Sequence, residues 1–83
     1  MYYVYVLQNA FEELYFGSTN DLKRRLKEHQ TGLIQSTKGG SWELIYYEAY
    51  KAESDARIRE QRLKLHGQAK LQLKKRIEGS RRG

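Results

Sequence analysis

The sequence predicts an α+β domain in which a three-stranded antiparallel sheet is flanked by helices, in the order ββαβαα. Three runs rich in aromatic and β-branched residues are typical of strands. Three other runs show helical spacing of apolar residues, and the chain contains no proline and no internal repeat. At 83 residues, the chain is near the lower limit for one domain folding on one core.

The three strand candidates are "MYYVYVL", "LYFG" and "WELIYYEAY", at residues 1–7, 14–17 and 42–50. Only a short connection containing a turn separates the first two runs, which predicts an antiparallel hairpin. The third run is the longest and is expected to complete the sheet.

The first helix is predicted to run from residue 22 to about residue 30. Thr19, Asn20 and Asp21 offer side chains that cap a helix N-terminus, and Gly32 ends the helix. Leu22 and Leu26 form its apolar side. At i, i+4 spacing beside them, Arg25 and His29 are expected to project together along the border between core and solvent. Its other basic residues point outward.

A second helix is predicted to begin at Glu53 or Ser54 and to end near Leu65, where "HG" interrupts it. Residues 68–77 form the third predicted helix. The segment "STKGGS" at residues 36–41 is expected to be a loop. We therefore expect residues 1–78 to form a single domain and residues 79–83 to form a flexible basic tail.

Glu60 stands out in the second predicted helix because it shares an otherwise apolar stripe with Ala52, Ala56 and Leu63. A carboxylate on a core-facing stripe needs a partner. Either it lies at the edge of the stripe and pairs with an arginine, or it binds a metal ion. Ile58 and Leu65 mark a second apolar line, which predicts that the helix is covered on two sides.

The positive charge is concentrated in the last third of the chain. The net charge is +6, and the sequence pI is about 9.7. Residues 1–50 carry a net charge of −1 and residues 51–83 a net charge of +7. This asymmetry fits a nucleic-acid partner. A solvated helical face with a basic tail explains it equally well.

Composition also excludes several classes of protein. The chain has no cysteine, so it has neither a disulfide framework nor a thiolate zinc site. His29 and His66 alone make a structural zinc site unfavourable. No apolar run is long enough to span a membrane and no signal peptide is evident. We expect a soluble cytoplasmic protein without a membrane partner.

Four segments, in order, resemble the landmarks of the GIY-YIG nuclease superfamily. They are "YVY" at residues 3–5, "YFG" at residues 15–17, "GSTNDLKRRLKEH" from residue 17 and "ARIREQRLK" from residue 56. The resemblance extends from Tyr2 to about Leu71. It is closest to the small standalone bacterial members, the YhbQ/YazA-like or URI-like group.

The resemblance implies a role for each matching residue. It implies catalytic roles for Tyr5, Tyr15, Arg25 and His29. It assigns Glu60 as the protein ligand of a single divalent ion, Mg²⁺ or Mn²⁺, and Gly17 as an open approach for the scissile phosphate. Tyr3 replaces the glycine of the first motif and Phe16 an isoleucine of the second. Both departures concern substrate fit, because neither removes a catalytic group.

The function expected from this resemblance is a divalent-metal-dependent endonuclease that hydrolyses DNA. Arg25 would hold phosphate oxygens through its planar fork. Tyr15, Tyr5 or His29 would activate water, and the resemblance favours Tyr15. The reference pKa of a phenol is about 10, so a tyrosine base needs nearby cations.

The expected partner is a nucleic acid, and of the two nucleic acids DNA is the one we expect. A protein partner could supply specificity. The predicted substrate-binding residues are Gly17, Lys23, Arg24, Lys74, Lys75 and Arg76. The alternative function is a nucleic-acid-binding module of the same fold with little or no catalysis.

Overall fold

The computed structural model describes residues 1–32, 34 and 40–82 and confirms the α+β class. The elements are β1 (Tyr2–Gln8), β2 (Leu14–Thr19), α1 (Leu22–Gln30), β3 (Glu43–Tyr50), α2 (Glu53–Leu65), α3 (Gly67–Arg76) and α4 (Glu78–Arg82). The short α4 lies where the sequence predicted a flexible tail, so a seventh element follows the predicted six. Gly83 and most of the loop predicted at residues 36–41 lie outside the described residues.

The sheet has the strand order β2-β1-β3, and both pairings are antiparallel. This confirms the hairpin and the three-stranded sheet. In the register, Tyr5 of β1 lies between Gly17 of β2 and Tyr47 of β3. Because side chains alternate along a strand, Tyr5, Gly17 and Tyr47 share one face of the sheet.

The opposite face carries the hydrophobic core beneath α2 and α3. The buried core cluster consists of Val4, Val6, Phe16, Ala56, Leu63, Leu73 and Ile77. Ala56 and Leu63 confirm the apolar stripe of α2, whereas Ala52 precedes the helix and is exposed. Burial of a large aliphatic or aromatic side chain contributes about 1.5–3 kcal/mol to folding.

The prediction that α2 is covered on two sides is wrong. Ile58 is 48% exposed and Leu65 is 76% exposed. The reason is that Leu73 of α3 and Ile77, which follows α3, join the same core cluster as Leu63, so α3 does not cover the outer side of α2. Within the part of the chain that the structure describes, no helix is both long and apolar enough to cross a membrane.

The start of α1 is fixed close to the end of β2. Asp21 is the N-cap, and its Oδ1 accepts a hydrogen bond from the Arg24 backbone N–H at 3.1 Å. Only two residues separate Thr19, the last residue of β2, from Leu22, the first residue of α1. This short connection brings the first turn of α1, which includes Arg24 and Arg25, beside the end of β2.

A carboxylate network fastens α2 to β3. Glu48 accepts hydrogen bonds from the hydroxyls of Tyr46 and Tyr50, at 2.8 and 2.6 Å. Arg59 of α2 donates two more, from Nε at 2.9 Å and Nη2 at 3.1 Å. Burial opposes ionisation of Glu48, but these donors hold its pKa below the ordinary value. The bidentate pair fixes α2 at the residue immediately before Glu60.

Candidate functional site

Three predicted catalytic side chains form one aromatic cluster on the sheet face opposite the core. Tyr5 comes from β1, Tyr15 from β2 and His29 from the last turn of α1. The His29 ring centroid lies 5.6 Å from that of Tyr5 and 5.0 Å from that of Tyr15, both edge-on. Trp42 extends the cluster, with its ring centroid 6.4 Å from that of Tyr15. Strand and helix positions that are distant in sequence therefore meet in one cluster.

The Tyr5 hydroxyl connects this cluster to Arg25. Its oxygen lies 2.8 Å from His29 Nε2, and it accepts a long hydrogen bond from Arg25 Nε at 3.4 Å. A guanidinium only donates, so the Tyr5 proton remains available to Nε2. Nε2 accepts that proton when Nδ1 carries the ring proton. Tyr5 thus lies between the arginine of α1 and the histidine one turn further along that helix.

Burial determines the protonation of this pair. Tyr5 is inaccessible to solvent and its burial raises its pKa to about 12, although the hydrogen bond from Arg25 acts in the opposite direction. Burial and the charge of Arg25 lower the pKa of His29 below its ordinary value. At neutral pH, Tyr5 is therefore a phenol and His29 is a neutral imidazole.

Gly17 provides room for the Tyr5 phenol. A Cβ added at Gly17 would lie 2.5 Å from Tyr5 Oη and 2.6 Å from Cζ. Ordinary carbon contacts are about 3.5–4.0 Å, so no side chain fits there unless Tyr5 moves. In this structure the missing side chain accommodates a protein group. Its predicted role as an approach for phosphate stays a prediction.

Arg25 lines a groove at the junction of β2, α1 and α2, which we call the arginine groove. It has a volume of about 250 Å³, and its lining includes Ser18, Asn20, Arg24, Arg25, Glu53 and Arg57. Three of these residues are arginines and one is acidic. Arg25 Nη1 also pairs with Glu28 at 3.1 Å, and Arg57 pairs with Glu53 at 3.6 Å in an exposed position. The groove is open and cationic, as an anion-binding site requires.

Glu60 lines a second groove, which we call the Glu60 groove and which also includes Ser18, Arg57, Gln61 and Lys64. One carboxylate oxygen accepts a hydrogen bond from the Ser18 hydroxyl, and the other lies 2.6 Å from Lys64 Nζ. The Glu60 side chain is 20% exposed. It is therefore not sealed in the core, and the cation that pairs with it is a lysine rather than the arginine considered above.

The side chains around Glu60 are compatible with a magnesium site that has few protein ligands. Mg²⁺ commonly takes one or two carboxylates and completes its shell with water and phosphate oxygens. Among the described residues, no group of three His, Cys, Asp or Glu side chains could hold a metal ion, so Glu60 would be a lone carboxylate ligand. Lys64 is 45% exposed and has a long flexible chain, so it has room to move away.

The two grooves adjoin because Ser18 and Arg57 line both. The structure brings Tyr5, Tyr15, Arg25 and His29 into one cluster, and Glu60 lies beside Ser18 of β2. Arg24 lies in the arginine groove with Arg25. The separation between the aromatic cluster and Glu60 follows from their positions on opposite faces of the sheet.

Four predicted substrate-binding residues lie elsewhere. Lys23 lines a different groove on the other side of α1. Lys74, Lys75 and Arg76 form the last turn of α3, and Arg76 interacts with Tyr46 of β3. None of these four residues lines the arginine or Glu60 groove. Their role in substrate binding stays a prediction.

Sequence reasoning missed Ser18 and Arg57, which connect the two grooves. A signal for Ser18 was present, because strand alternation places it on the same face as Phe16, where a hydroxyl needs a partner. Arg57 lies one helical turn before Glu60, so helical spacing would have placed the two side by side. Both residues lie within segments that carry the family resemblance, but the resemblance assigned neither of them a role.

Comparison with known proteins identifies the family. Residues 1–76 match the family described as the GIY-YIG catalytic domain. A UPF0213 protein of Clostridium perfringens is 41% identical over 76 residues, covering 88% of this chain and 82% of that protein. A UPF0213 protein of Haloquadratum walsbyi is 34% identical over 73 residues, covering 86% and 82%.

A solved structure supports the same assignment. The solution NMR structure of a UPF0213 protein from Bacillus halodurans aligns with a TM-score of 0.56 at 34% identity. The alignment covers 88% of this chain and 82% of that one. The fold, the order of the landmarks and these relatives agree, and this chain therefore belongs to the GIY-YIG family and, within it, to the UPF0213 proteins.

Proposed function

We propose that this protein is a divalent-metal-dependent endonuclease that hydrolyses phosphodiester bonds in DNA. The observation that carries the proposal is the junction of the two grooves at Ser18 and Arg57. At this junction the cationic arginine groove lies next to the partly exposed carboxylate of Glu60. Arg25 joins the arginine groove to the aromatic cluster through its hydrogen bond to Tyr5. Phosphate binding, metal binding and water activation need these three chemistries side by side.

Arg25 is the residue best placed to bind the scissile phosphate. Its Nε is directed to Tyr5 and its Nη1 to Glu28, so two neighbours fix the plane of the guanidinium. A fixed fork binds two phosphate oxygens with less loss of conformational freedom than a lysine would. Arg24 and Arg57 add positive charge to the same groove.

Tyr15 is the best candidate to position or deprotonate the attacking water. Tyr5 is unsuited to that role, because its phenol is buried and its pKa is about 12. His29 is also buried and lies against both tyrosine rings. We therefore assign Tyr5 and His29 as positioning residues that fix Arg25 and the Tyr15 ring.

Glu60 would hold the divalent ion, with Ser18 orienting its carboxylate. When bound, such an ion stabilises charge that develops on the phosphate and on the leaving oxygen. Ser18 leaves further lone pairs of the carboxylate available, because an ionised carboxylate offers about four acceptor positions.

The test is cleavage of a panel of labelled single-stranded, duplex, flapped and branched DNA molecules, with Mg²⁺ or with a chelator. We expect metal-dependent cutting by the wild-type protein and loss of at least about 100-fold in Glu60→Gln, because the proposed metal-binding carboxylate is removed. Asp55→Asn makes the equivalent change at an exposed position of α2 and should cut normally. Equal cutting by Glu60→Gln and the wild type would refute the proposal.

The alternative of a binding module without catalysis gives a different result in the same assay. In that case no member of the panel is cut with Mg²⁺. Binding would still weaken steeply with salt, because it depends on the released counterions of the phosphates.

A further inference from the structure

A groove lined by two tyrosines lies beside the arginine groove, and we call it the tyrosine groove. Tyr3 of β1 and Tyr47 of β3 meet edge to face there, with ring centroids 6.1 Å apart. Tyr47 is 54% exposed. Its lining also includes Asp21, Lys23 and Leu26, and the groove has a volume of about 460 Å³.

The tyrosine groove is continuous with the arginine groove. Asn20, which precedes the N-cap of α1, lines both of them. An anion held by Arg24 and Arg25 would therefore be adjacent to a space that two tyrosine rings line, together with Lys23 and the Asp21 carboxylate. This juxtaposition matches the chemistry of a nucleotide, in which an anionic phosphate is joined through a sugar to a flat aromatic base.

We propose that the tyrosine groove binds one unpaired nucleobase of the DNA strand whose phosphate occupies the arginine groove. The inference rests on the proposed function, because that proposal identifies the bound strand as DNA. A base inside a duplex is stacked on both faces, so only an unpaired or extruded base can pack against Tyr3 and Tyr47. Stacking on a tyrosine tolerates any base, which predicts weak sequence preference. Tyr3, which replaces the motif glycine, thereby acquires a role in substrate fit.

The experiment compares two labelled oligonucleotides of equal length by fluorescence anisotropy in buffer with a chelator and no metal. One is single-stranded oligothymidylate, and the other has the same backbone with every base removed. Wild-type protein is expected to bind the first at least about fivefold more tightly, since stacking on an aromatic side chain stabilises a bound base. Tyr47→Leu and Tyr3→Leu should each reduce this ratio towards one and leave binding of the abasic strand unchanged.

Two further variants make the result specific to the tyrosine rings. Tyr47→Phe keeps the aromatic face and should retain the preference. Phe11→Leu removes an aromatic ring that is 83% exposed in the turn at the far end of the β1–β2 hairpin, and it should change nothing. Circular dichroism melting verifies folding, and Tyr47 is exposed enough to be replaced without a buried cavity.

The proposal is overturned if wild-type protein binds the two strands equally, or if Tyr47→Leu weakens both to the same extent. Loss of the preference in Tyr47→Phe would also overturn it. Cleavage is measured separately with Mg²⁺, so the two proposals fail independently. A protein that cuts DNA but does not distinguish the strands refutes the base site alone. One that distinguishes them but cuts nothing refutes the nuclease alone.

Discussion

Replacing Gly17 with alanine tests whether Tyr5 is held in place by the absence of a side chain on β2. The new Cβ would lie 2.5 Å from Tyr5 Oη and 2.6 Å from Cζ, about 1 Å inside ordinary contact. Tyr5 has no exposed surface and is surrounded by the rings of Tyr15 and His29, so its phenol has little room to move.

The expected cost of Gly17→Ala has two parts. Overpacking a core costs about 1–3 kcal/mol. Displacing the Tyr5 hydroxyl also disrupts its 2.8 Å hydrogen bond to His29, and such a bond contributes about 0.5–1.5 kcal/mol. Together these give a loss of about 1.5–4.5 kcal/mol in the free energy of unfolding, and a fall in Tm of at least about 6 °C.

Urea unfolding followed by circular dichroism measures this loss. Gly67→Ala is the matched control, because its added Cβ meets no atom within 4 Å and lies at the start of α3. It should change stability by less than about 1 kcal/mol.

A double-mutant cycle with Tyr5→Leu isolates the steric contact. In that background Gly17→Ala should cost much less, because the phenol atoms that meet the new Cβ are absent. A loss below about 0.5 kcal/mol in the wild-type background, or equal losses in both backgrounds, would refute the steric argument.

Three further predictions concern the polar contacts. Glu48→Gln should lower the free energy of unfolding by about 1–3 kcal/mol at pH 7, since a charge-assisted pair with Arg59 is lost. The folded-state pKa of Glu48 lies below its ordinary value. The extra stability of the wild type over Glu48→Gln is therefore complete above that ordinary value and shrinks as the pH falls through the folded-state pKa. Urea titrations between pH 3 and 7 measure this difference in the free energy of unfolding, and a difference that stays constant with pH would contradict the prediction. Tyr5→Phe should remove one phenol that ionises near pH 12 from the ultraviolet absorbance titration, and a lost transition near pH 10 would instead show that Tyr5 is not desolvated. Ser18→Ala should raise the Mg²⁺ concentration for half-maximal cleavage about tenfold, because Glu60 loses the hydroxyl that orients it, and an unchanged concentration would assign Ser18 no positioning role.

The sequence was sufficient to predict the fold from its own residues, whereas the members of the aromatic cluster were named only by the family resemblance. The runs of β-branched and aromatic residues and the capping side chains act locally, so β1, β2, α1 and α2 could be placed from their own residues. Helical spacing predicted that Arg25 and His29 project together. Their meeting with Tyr5 depends on how α1 packs on the sheet, which the structure shows. The contact between Glu60 and Ser18 depends on how α2 packs across β2, which no local pattern specifies.

The exposed apolar residues of α2 illustrate the same limit. Helical periodicity correctly separated Ile58 and Leu65 from the stripe containing Ala56 and Leu63. It could not determine whether α3 packs over that side or beside it, because a turn of one or two residues permits both arrangements. The role of Gly17 is a similar case, since only the position of Tyr5 across the strand pair reveals the close approach.

The claim that Arg25 and Glu60 serve one reaction is tested most directly by single-turnover cleavage of DNA with Mg²⁺. The four proteins to compare are the wild type, Arg25→Lys, Glu60→Gln and the double variant. Groups that act as a unit are not additive in their effects on rate. We predict that each single variant loses most of the activity and that the double variant is no slower than the slower single one. Rate losses that multiply in the double variant, or wild-type rates in either single variant, would contradict a shared active site.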